Sequence, residues 1–315
     1  MTEAIRARAR LQDWWDHLWF QSVPPDLFAL LRMVFGLLGL AAILELTPVS
    51  MYWAVDGIAP VPGGGMGLRQ LLLQRGLSDA VSWAYFLGLS TAFACMTVGF
   101  RTRAAVFASW LGTSLLSPWN HLPLTSAIHV LTSVLFCLLW ARCDAAPSVD
   151  AWLARHRHRG EDDIGGPQPI WPLRLIRMQV CVIYLNSGLW KLMYDTWRDG
   201  TAVHYAINLN IFHRFPYPPT FLEPLTTVAT YTTLVWEIGF AFMMMNRVTR
   251  RIALWLGVSM HLGMAFMLEL GPFSFVMIAS YLAFLDPAKV ASFSRRRFGT
   301  PPEAVAATAV QRSDV

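Results

Sequence analysis

The segment VCVIYLNSGLWKL, residues 180–192, decides the fold class because it joins a long apolar run to a single lysine, Lys191. An apolar run of this kind is typical of a helix that crosses a membrane. A lysine at that depth costs a few kcal/mol or more and is rarely kept without a partner or a function. Lys191 is therefore the first residue at which to look for chemistry.

The composition indicates a polytopic membrane protein. The 315 residues have a mean hydropathy of +0.42, with 55% hydrophobic and only 14% charged residues, whereas a soluble domain carries about a quarter charged. Several runs approach the roughly 20 residues that cross about 30 Å of hydrocarbon, so we predict an all-α membrane helix bundle. The net charge is +5, and most of the basic residues lie in predicted loops and termini. This position favours a role in membrane orientation over nucleic-acid binding.

About eight transmembrane spans are predicted from the apolar runs. They lie at residues 25–46, 80–99, 103–118, 124–142, 172–194, 224–246, 251–269 and 272–286. Arg-rich segments alternate with Arg-poor loops along this series, beginning and ending with an Arg-rich one. The positive-inside rule then places both termini in the cytoplasm, the chain in the cytoplasmic membrane, and the two longer loops, 47–79 and 195–223, outside.

Three regions follow from this plan. Residues 1–24 contain the segment WWDHLW at 14–19 and are predicted to form an interfacial segment on the cytoplasmic surface. Residues 25–286 form the transmembrane domain. Residues 287–315, which are polar and contain Pro and Ala, are predicted to be a disordered cytoplasmic tail.

Two interpretations of Lys191 remain open. Position alone favours a snorkelling lysine, with its stem in lipid and its ammonium among headgroups. Against this, Tyr184, Ser187 and Gly188 share its helix face, at spacings of i, i+3, i+4 and i+7. The small residues on that face favour close packing of a neighbouring helix. Such packing would turn the lysine inward, where it could act as a general base.

Other polar residues also lie within predicted spans. Glu237 is about thirteen residues, or ~20 Å, from the outer boundary of span six, so it is protonated, paired or facing a wet cavity. Arg32 in span one is a candidate partner for it, or snorkels instead. His261 lies near the middle of span seven, either as a core histidine bonded to a carbonyl or as part of a site. Gln179 adds a hydrogen-bonding group to span five.

Several classes of site are not indicated. His156 and His158 fit a solvated positive-inside loop better than a metal or nucleic-acid site, and His204 and His213 match no standard zinc spacing. The four cysteines lie in or beside apolar runs without a C-x-x-C pair and are predicted to be free thiols. No metal is expected, and no nucleotide, dinucleotide, zinc-peptidase or serine-nucleophile motif is present.

A resemblance to a known family extends over residues 25–286. Its motifs, in chain order, are Leu31-Arg32-Met33-Val34-Phe35-Gly36, Asp56-Gly57, Trp119-Asn120-His121, Ser148-Val149-Asp150, the stretch from Gln179 to Tyr184 with Gly188, Lys191-Leu192, Trp197 and Gly200, and His261 followed by Gly271, Phe273, Ser274, Val276 and Met277. In order and spacing they resemble the membrane domain of vitamin K-dependent γ-carboxylases, and the wider bacterial family named for the horizontally transferred transmembrane (HTTM) domain.

The resemblance implies a quinol-dependent enzyme. In the carboxylases, a lysine deprotonates a reduced naphthoquinone (vitamin K hydroquinone), which reacts with O₂; the resulting base removes a γ-proton from glutamate, and CO₂ adds. Lys191 looks like the base lysine and His121 like the histidine of the carboxylation half, with His261 shaping the site. A second lysine precedes the base in that family, where this chain has Trp190. The candidate cofactor-binding residues are Arg32, Gln179, Tyr184, Trp197 and Glu237.

Three functions stay open at this point. The first is a membrane enzyme with Lys191 as base, acting on a quinol, a lipid-like molecule or a peptide glutamate. The second is a maturation or export factor for a secreted peptide, because some members of the wider family accompany secreted peptide toxins. The third is a lipid- or quinone-binding protein without catalysis. An outward-opening cavity lined by Lys191 and His121, with His261 deeper, is expected for the enzyme. Membrane lipid is an expected partner, and nucleic acid is not.

Overall fold

A computed structural model describes residues 2–47, 79–119, 126–144, 147–156, 166–209, 212, 214–215 and 223–298 of the chain. Within these ranges the fold is all-α apart from one pair of two-residue strands. The elements are α1 (Thr2–Phe20), β1 (Ser22–Val23), α2 (Asp26–Leu44), α3 (Asp79–Val98), α4 (Thr102–Trp119), α5 (Ser126–Leu138), α6 (Val149–His156), β2 (Gln168–Pro169), α7 (Trp171–Lys191), α8 (Asp195–Arg198), α9 (Ala202–Asn208), α10 (Glu223–Met243), α11 (Arg247–Met267), α12 (Phe273–Ser280), a 3₁₀ turn (Tyr281–Phe284) and α13 (Pro287–Phe298).

Two helices in the described part of the chain are long and apolar enough to cross a membrane. They are Asp26–Leu44 and, within α3, Ala80–Val98. A third span results if Phe273–Phe284 and Pro287–Arg297 are joined across a bend of 99°. The predicted all-α fold is therefore confirmed and contains two or three candidate membrane spans, whereas the bundle of eight spans stays a prediction.

Other predicted spans coincide with helices that are either less apolar or shorter than these two. The helices α7, α10 and α11 have 21 residues each, but their polar side chains lower the mean hydropathy. The helix α5 has only 13 residues, about 20 Å at the α-helical rise, which is shorter than the hydrocarbon core. Among the described residues of the predicted span 124–142, the regular helix covers Ser126–Leu138, and the span itself stays a prediction.

The predicted disordered tail begins with a helix, α13, which corrects that expectation for its first twelve residues. The helix starts at Asp286-Pro287, where the Asp286 carboxylate accepts a hydrogen bond from the backbone N–H of Ala288 (3.0 Å). An acidic N-cap followed by proline at the first helical position is a strong helix start. Residues 299–315 lie outside the described ranges.

Helices α2 and α3 pack closely because two glycines on α2 leave space for α3. A Cβ atom at Gly39 would lie 2.1 Å from the Phe93 ring, and one at Gly36 would lie 2.5 Å from Thr97 Oγ1. Phe93 is fully buried as a result. This pair forms one side of the core, and α5 and α12 also pack against α2.

Arg32 anchors the end of α3 and takes no part in an ion pair with Glu237. Its side chain is fully buried, and Nη1 donates to the carbonyl oxygens of Met96 (2.6 Å) and Thr97 (3.0 Å). Nη2 donates to the carbonyl oxygen of Pro147 (2.6 Å). The expectation that Arg32 partners Glu237 was wrong, because its two Nη groups donate to the carbonyl oxygens of Met96, Thr97 and Pro147 instead. A role for Arg32 in cofactor binding stays a prediction. We call this group of four residues the Arg32 clamp.

The Ser148-Val149-Asp150 motif has a structural role next to the Arg32 clamp. The Asp150 carboxylate accepts hydrogen bonds from the backbone N–H groups of Arg101 and Thr102, both at 2.8 Å, and from the Thr102 hydroxyl at 2.7 Å. These groups begin α4, so Asp150 caps that helix from a distant part of the chain.

The loop predicted as 195–223 is ordered where it is described. Its short helices α8 and α9 pack on α10: the Tyr231 hydroxyl donates to the Arg198 carbonyl (2.8 Å), and the Val203 N–H donates to Thr230 Oγ1 (3.1 Å). The other predicted outer loop, 47–79, lies outside the described residues except at its two ends.

The N-terminal helix α1 is joined to the start of α7. Strand β1 pairs antiparallel with β2, Ser22 opposite Pro169 and Val23 opposite Gln168, and α1 packs on α7. Leu11, Trp14 and Trp15 on α1 remain more than half exposed, as expected for an interfacial helix.

Candidate functional site

The face of α7 that carries Lys191 is turned into the bundle, as its spacing predicts. Tyr184 is 2% exposed, Gly188 is buried, and Ser187 and Lys191 are half-buried, whereas Leu189 and Trp190 on the other faces are exposed. The snorkelling interpretation of Lys191 is therefore wrong.

Gly188 allows α10 to approach α7 at this level. A Cβ atom there would lie 2.7 Å from Ile238 Cγ1 and 3.2 Å from Glu237 Cβ. Since a larger residue would push α10 away, Gly188 sets the distance across which Lys191 and Glu237 meet.

Lys191 and Glu237 form an ion pair between α7 and α10. The Lys191 ammonium donates to Glu237 Oε1 and, at 3.1 Å, to Ser187 Oγ. The Glu237 side chain is only 7% exposed and that of Lys191 21%. Lys191 Nζ also lies 4.7 Å from the ring centroid of Trp197, within the range of a cation–π contact.

A second polar group lies one to two turns earlier along α7. The Tyr184 hydroxyl is hydrogen-bonded to His261 Nε2 (2.8 Å) and to the Tyr281 hydroxyl (2.5 Å), and all three side chains are buried. Gly257 leaves room for Tyr281, because a Cβ atom there would lie 2.4 Å from the Tyr281 hydroxyl. We call Tyr184, His261 and Tyr281 the Tyr–His–Tyr chain.

Aromatic rings enclose the Tyr–His–Tyr chain. The ring centroids of Trp236 and Phe240 lie 4.6 and 4.5 Å from that of Tyr184, and Phe273 contacts His261 edge to face at 5.8 Å. These rings exclude water from the hydroxyl and imidazole groups, which strengthens their electrostatic interactions.

Two buried polar atoms of the site have no hydrogen-bond partner among the described residues: Glu237 Oε2 and His261 Nδ1. Buried polar atoms are nearly always paired, with protein, water or a ligand. Each of these two atoms therefore has the capacity for a further hydrogen bond that the described residues do not supply.

The structure brings together five of the eight predicted site residues. These are Lys191, His261, Tyr184, Trp197 and Glu237. Arg32 belongs to the clamp at the end of α3, and His121 lies outside the described residues. Gln179 is half-buried on α7, twelve residues before Lys191, which is about 18 Å along the helix.

Sequence reasoning missed Tyr281 and the choice of Lys191 as the partner of Glu237. Tyr281 was inside the predicted eighth span, and a tyrosine hydroxyl in an apolar span needs a hydrogen-bond partner. That requirement is the signal by which it could have been found.

Comparisons with known proteins place this site in a family. The HTTM domain profile matches residues 20–288, which is most of the chain and contains every site residue named above. The chain belongs to the HTTM domain family. It is accordingly a membrane protein, and the family resemblance of its motifs is confirmed.

Two curated relatives come from Bacillus subtilis (strain 168). Uncharacterized protein YitO is 26% identical over 269 residues, which cover 83% of this chain and 85% of the relative. Sporulation-delaying protein SdpB is 29% identical over 123 residues, 37% of this chain and 38% of the relative. No solved structure matches this HTTM protein.

Proposed function

We propose that this HTTM protein is a membrane enzyme in which Lys191 and Glu237 exchange a proton, so that Lys191 can take a proton from a substrate. The observation that carries the proposal is the ion pair itself. Two charges buried between helices are costly to hold, and ionisable residues inside membrane bundles are typical of functional sites.

The contact with Glu237 gives Lys191 a route to its basic form. Transfer of a proton from Lys191 Nζ to Glu237 Oε1 converts two buried charges into a neutral amine and a neutral acid, which cost less to keep away from water. The free amine then accepts a proton from a substrate hydroxyl held within about 3 Å. Ser187 Oγ, already bonded to Nζ, keeps the nitrogen oriented during this exchange.

The substrate we propose is a reduced naphthoquinone or a similar flat, apolar quinol. Glu237 Oε2 and His261 Nδ1, which have no hydrogen-bond partner among the described residues, suit the two hydroxyl groups of a quinol. The Trp197 side chain, which lies next to the Lys191 ammonium, suits stacking against the quinol ring. When bound, the quinol supplies an acidic hydroxyl and, with O₂ and CO₂ as co-substrates, the oxidative chemistry of the carboxylases that the chain resembles.

Lys191→Arg should lower turnover of reduced naphthoquinone to its epoxide by about 100-fold or more, the usual contribution of a general base. Arginine keeps the positive charge but does not lose its proton at working pH. The assay is epoxide formation by purified protein. Lys289→Arg is the matched control, because Lys289 is the only other lysine in the chain and lies exposed on α13.

Full activity of Lys191→Arg would contradict the base assignment. Absence of turnover by the wild type across several quinols would instead favour a second candidate, a maturation or export factor for a secreted peptide. The match to sporulation-delaying protein SdpB supports that candidate. In that case the same variants are compared for the activity of the secreted peptide in co-expressing cells.

The proposed topology has eight spans with both termini in the cytoplasm, so residues 195–223 face outward. Tyr205→Cys, at a residue that is 54% exposed, should react with a membrane-impermeant maleimide in intact cells. Ser292→Cys on α13 should react only after permeabilisation. The four native cysteines are buried or half-buried and give a low background. Labelling with the opposite order of access would reverse the orientation.

A further inference from the structure

A cavity lies far along α7 from Lys191, between this helix and α1. It has a volume of about 200 Å³ and is lined by Leu18, Trp19, Arg174, Arg177 and Met178. Arg174 precedes Lys191 by seventeen residues, about 25 Å along the helix. The cavity is therefore separate from the site proposed for proton transfer.

Two hydrogen-bond donors of the cavity's lining residues are buried without a partner in the described structure. They are Trp19 Nε1 and Arg174 Nε. Both are N–H groups with no capacity to accept, so whatever satisfies them must present acceptor atoms. Two such groups on two facing helices indicate one ligand that contacts both.

The neighbouring Arg177 has a fixed orientation. Its Nε donates to the carbonyl oxygen of Ala283 (2.7 Å) and its Nη2 to that of Leu285 (3.2 Å), so the guanidinium is held by the 3₁₀ turn. It keeps its charge while its position is set by the fold. The remaining donor capacity of its guanidinium can then contribute to the cavity.

The charge close to Arg177, on the α7 wall of the cavity, is mainly positive. The charged groups that act on Arg177 are Arg174, Arg250 and, with the opposite sign, Asp286. One carboxylate among three guanidiniums leaves a net positive field. An anion with several acceptor oxygens, such as a phosphate, matches both this field and the partnerless donors.

The setting of the cavity indicates where that phosphate comes from. Its α1 wall belongs to a helix whose Leu11, Trp14 and Phe20 side chains are more than half exposed, a pattern typical of helices that lie at the headgroup level of a membrane. We infer that the cavity between α1 and α7 binds the phosphate of an anionic glycerophospholipid headgroup, with Arg174 and Trp19 as its donors.

The test measures thermal unfolding of the purified full-length protein in neutral detergent as phosphatidylglycerol is added. The wild type should be stabilised at low lipid concentration, and phosphatidylcholine, which has no net charge, should stabilise it less. Arg174→Gln should raise the half-saturating phosphatidylglycerol concentration about tenfold, the effect of losing one charge-assisted contact. Arg251→Gln, the same change at an exposed residue, should leave it unchanged.

Trp19→Phe keeps the ring and removes only the indole N–H, so it tests the site even if Arg174→Gln fails to fold. It should raise the half-saturating concentration severalfold. Inorganic phosphate should compete weakly with the lipid. Equal lipid response in wild type, Arg174→Gln and Trp19→Phe would overturn the inference. Full stabilisation by phosphate alone, with no further gain from phosphatidylglycerol, would overturn the lipid assignment in favour of a soluble phosphate compound.

Discussion

Glu237→Leu should lower the free energy of unfolding by about 3 kcal/mol, at the low end of values for breaking a buried ion pair because Lys191 retains some contact with solvent. The leucine would leave the Lys191 ammonium inside the bundle with only Ser187 and the Trp197 ring as partners. A buried charge without its counter-charge is the costly state, and removal of one partner produces it.

The measurement is the midpoint of thermal or denaturant unfolding in detergent, and two further variants sharpen it. Glu237→Gln keeps a carbonyl oxygen that can accept from Lys191, so it should cost less than Glu237→Leu. The double variant Lys191→Met, Glu237→Leu removes both charges and leaves an apolar contact between α7 and α10. It should recover most of the lost stability, because a hydrophobic replacement of a buried pair is often neutral or stabilising.

Near-wild-type stability of Glu237→Leu would show that water reaches Lys191 and would contradict a buried pair. Failure of the double variant to recover stability would show that Glu237 acts through another group. The double variant should also have no epoxidation activity, since it lacks the proposed base. Stability and activity are thus separated by one pair of substitutions.

The inward orientation of Lys191 could be predicted because it depends on local periodicity alone. Tyr184, Ser187 and Gly188 lie on the same face as Lys191 in any regular helix, whatever its neighbours are. The partner of Glu237 could not be predicted in the same way, because it depends on which helices are adjacent. Contact between α7 and α10 is set by a close approach at Gly188.

The predicted depth of Glu237 in the membrane also argued against Lys191 as its partner. Counted from the ends of their spans, Glu237 is deep and Lys191 lies near the outer boundary. A helical side chain leans toward the N-terminus of its helix, however, and the lysine stem is long. The ammonium therefore reaches back to Ser187 one turn earlier, and this places it beside Glu237. A Cβ atom at Gly188 would also lie 3.2 Å from Glu237 Cβ, so α7 and α10 are level at these two residues. Counting from the predicted span ends placed Glu237 too deep relative to α7.

Arg32 was predicted as a site residue for a reason that held only in part. A cation in an apolar span does need partners, but carbonyl groups satisfy this need as well as a carboxylate does. At the end of α3, the last carbonyls of the helix have no intrahelical donors, and Arg32 supplies them. Sequence alone does not show that the end of α3 lies beside Arg32.

Arg32→Met should lower the free energy of unfolding by about 3–5 kcal/mol, since it leaves the carbonyl oxygens of Thr97 and Pro147 without a donor among the described residues and that of Met96 with only the Gly99 N–H, at a site where Arg32 is fully buried. Methionine fills much of the stem volume, so the loss reports the hydrogen bonds more than a cavity. Arg32→Lys should recover only part of it, because one ammonium cannot reproduce the planar fork that reaches Met96, Thr97 and Pro147 together. Arg251→Met, at an exposed arginine, should change stability by no more than about 0.5 kcal/mol.

Arg32→Met also distinguishes a structural role of Arg32 in the clamp from a role as a cofactor ligand. If Arg32 is a clamp, its loss loosens the end of α3 and the segment at Pro147. Hydrogen exchange should then rise at the backbone N–H of Gly99, which is bonded to the carbonyl oxygens at the end of α3, and at that of Asp150, which is bonded to the Gly99 carbonyl. A cofactor ligand would instead lose activity or quinol affinity while stability and exchange stayed at wild-type levels. That second pattern would contradict the clamp, because the Thr97 and Pro147 carbonyls cannot lose the donor that Arg32 supplies without a cost in stability.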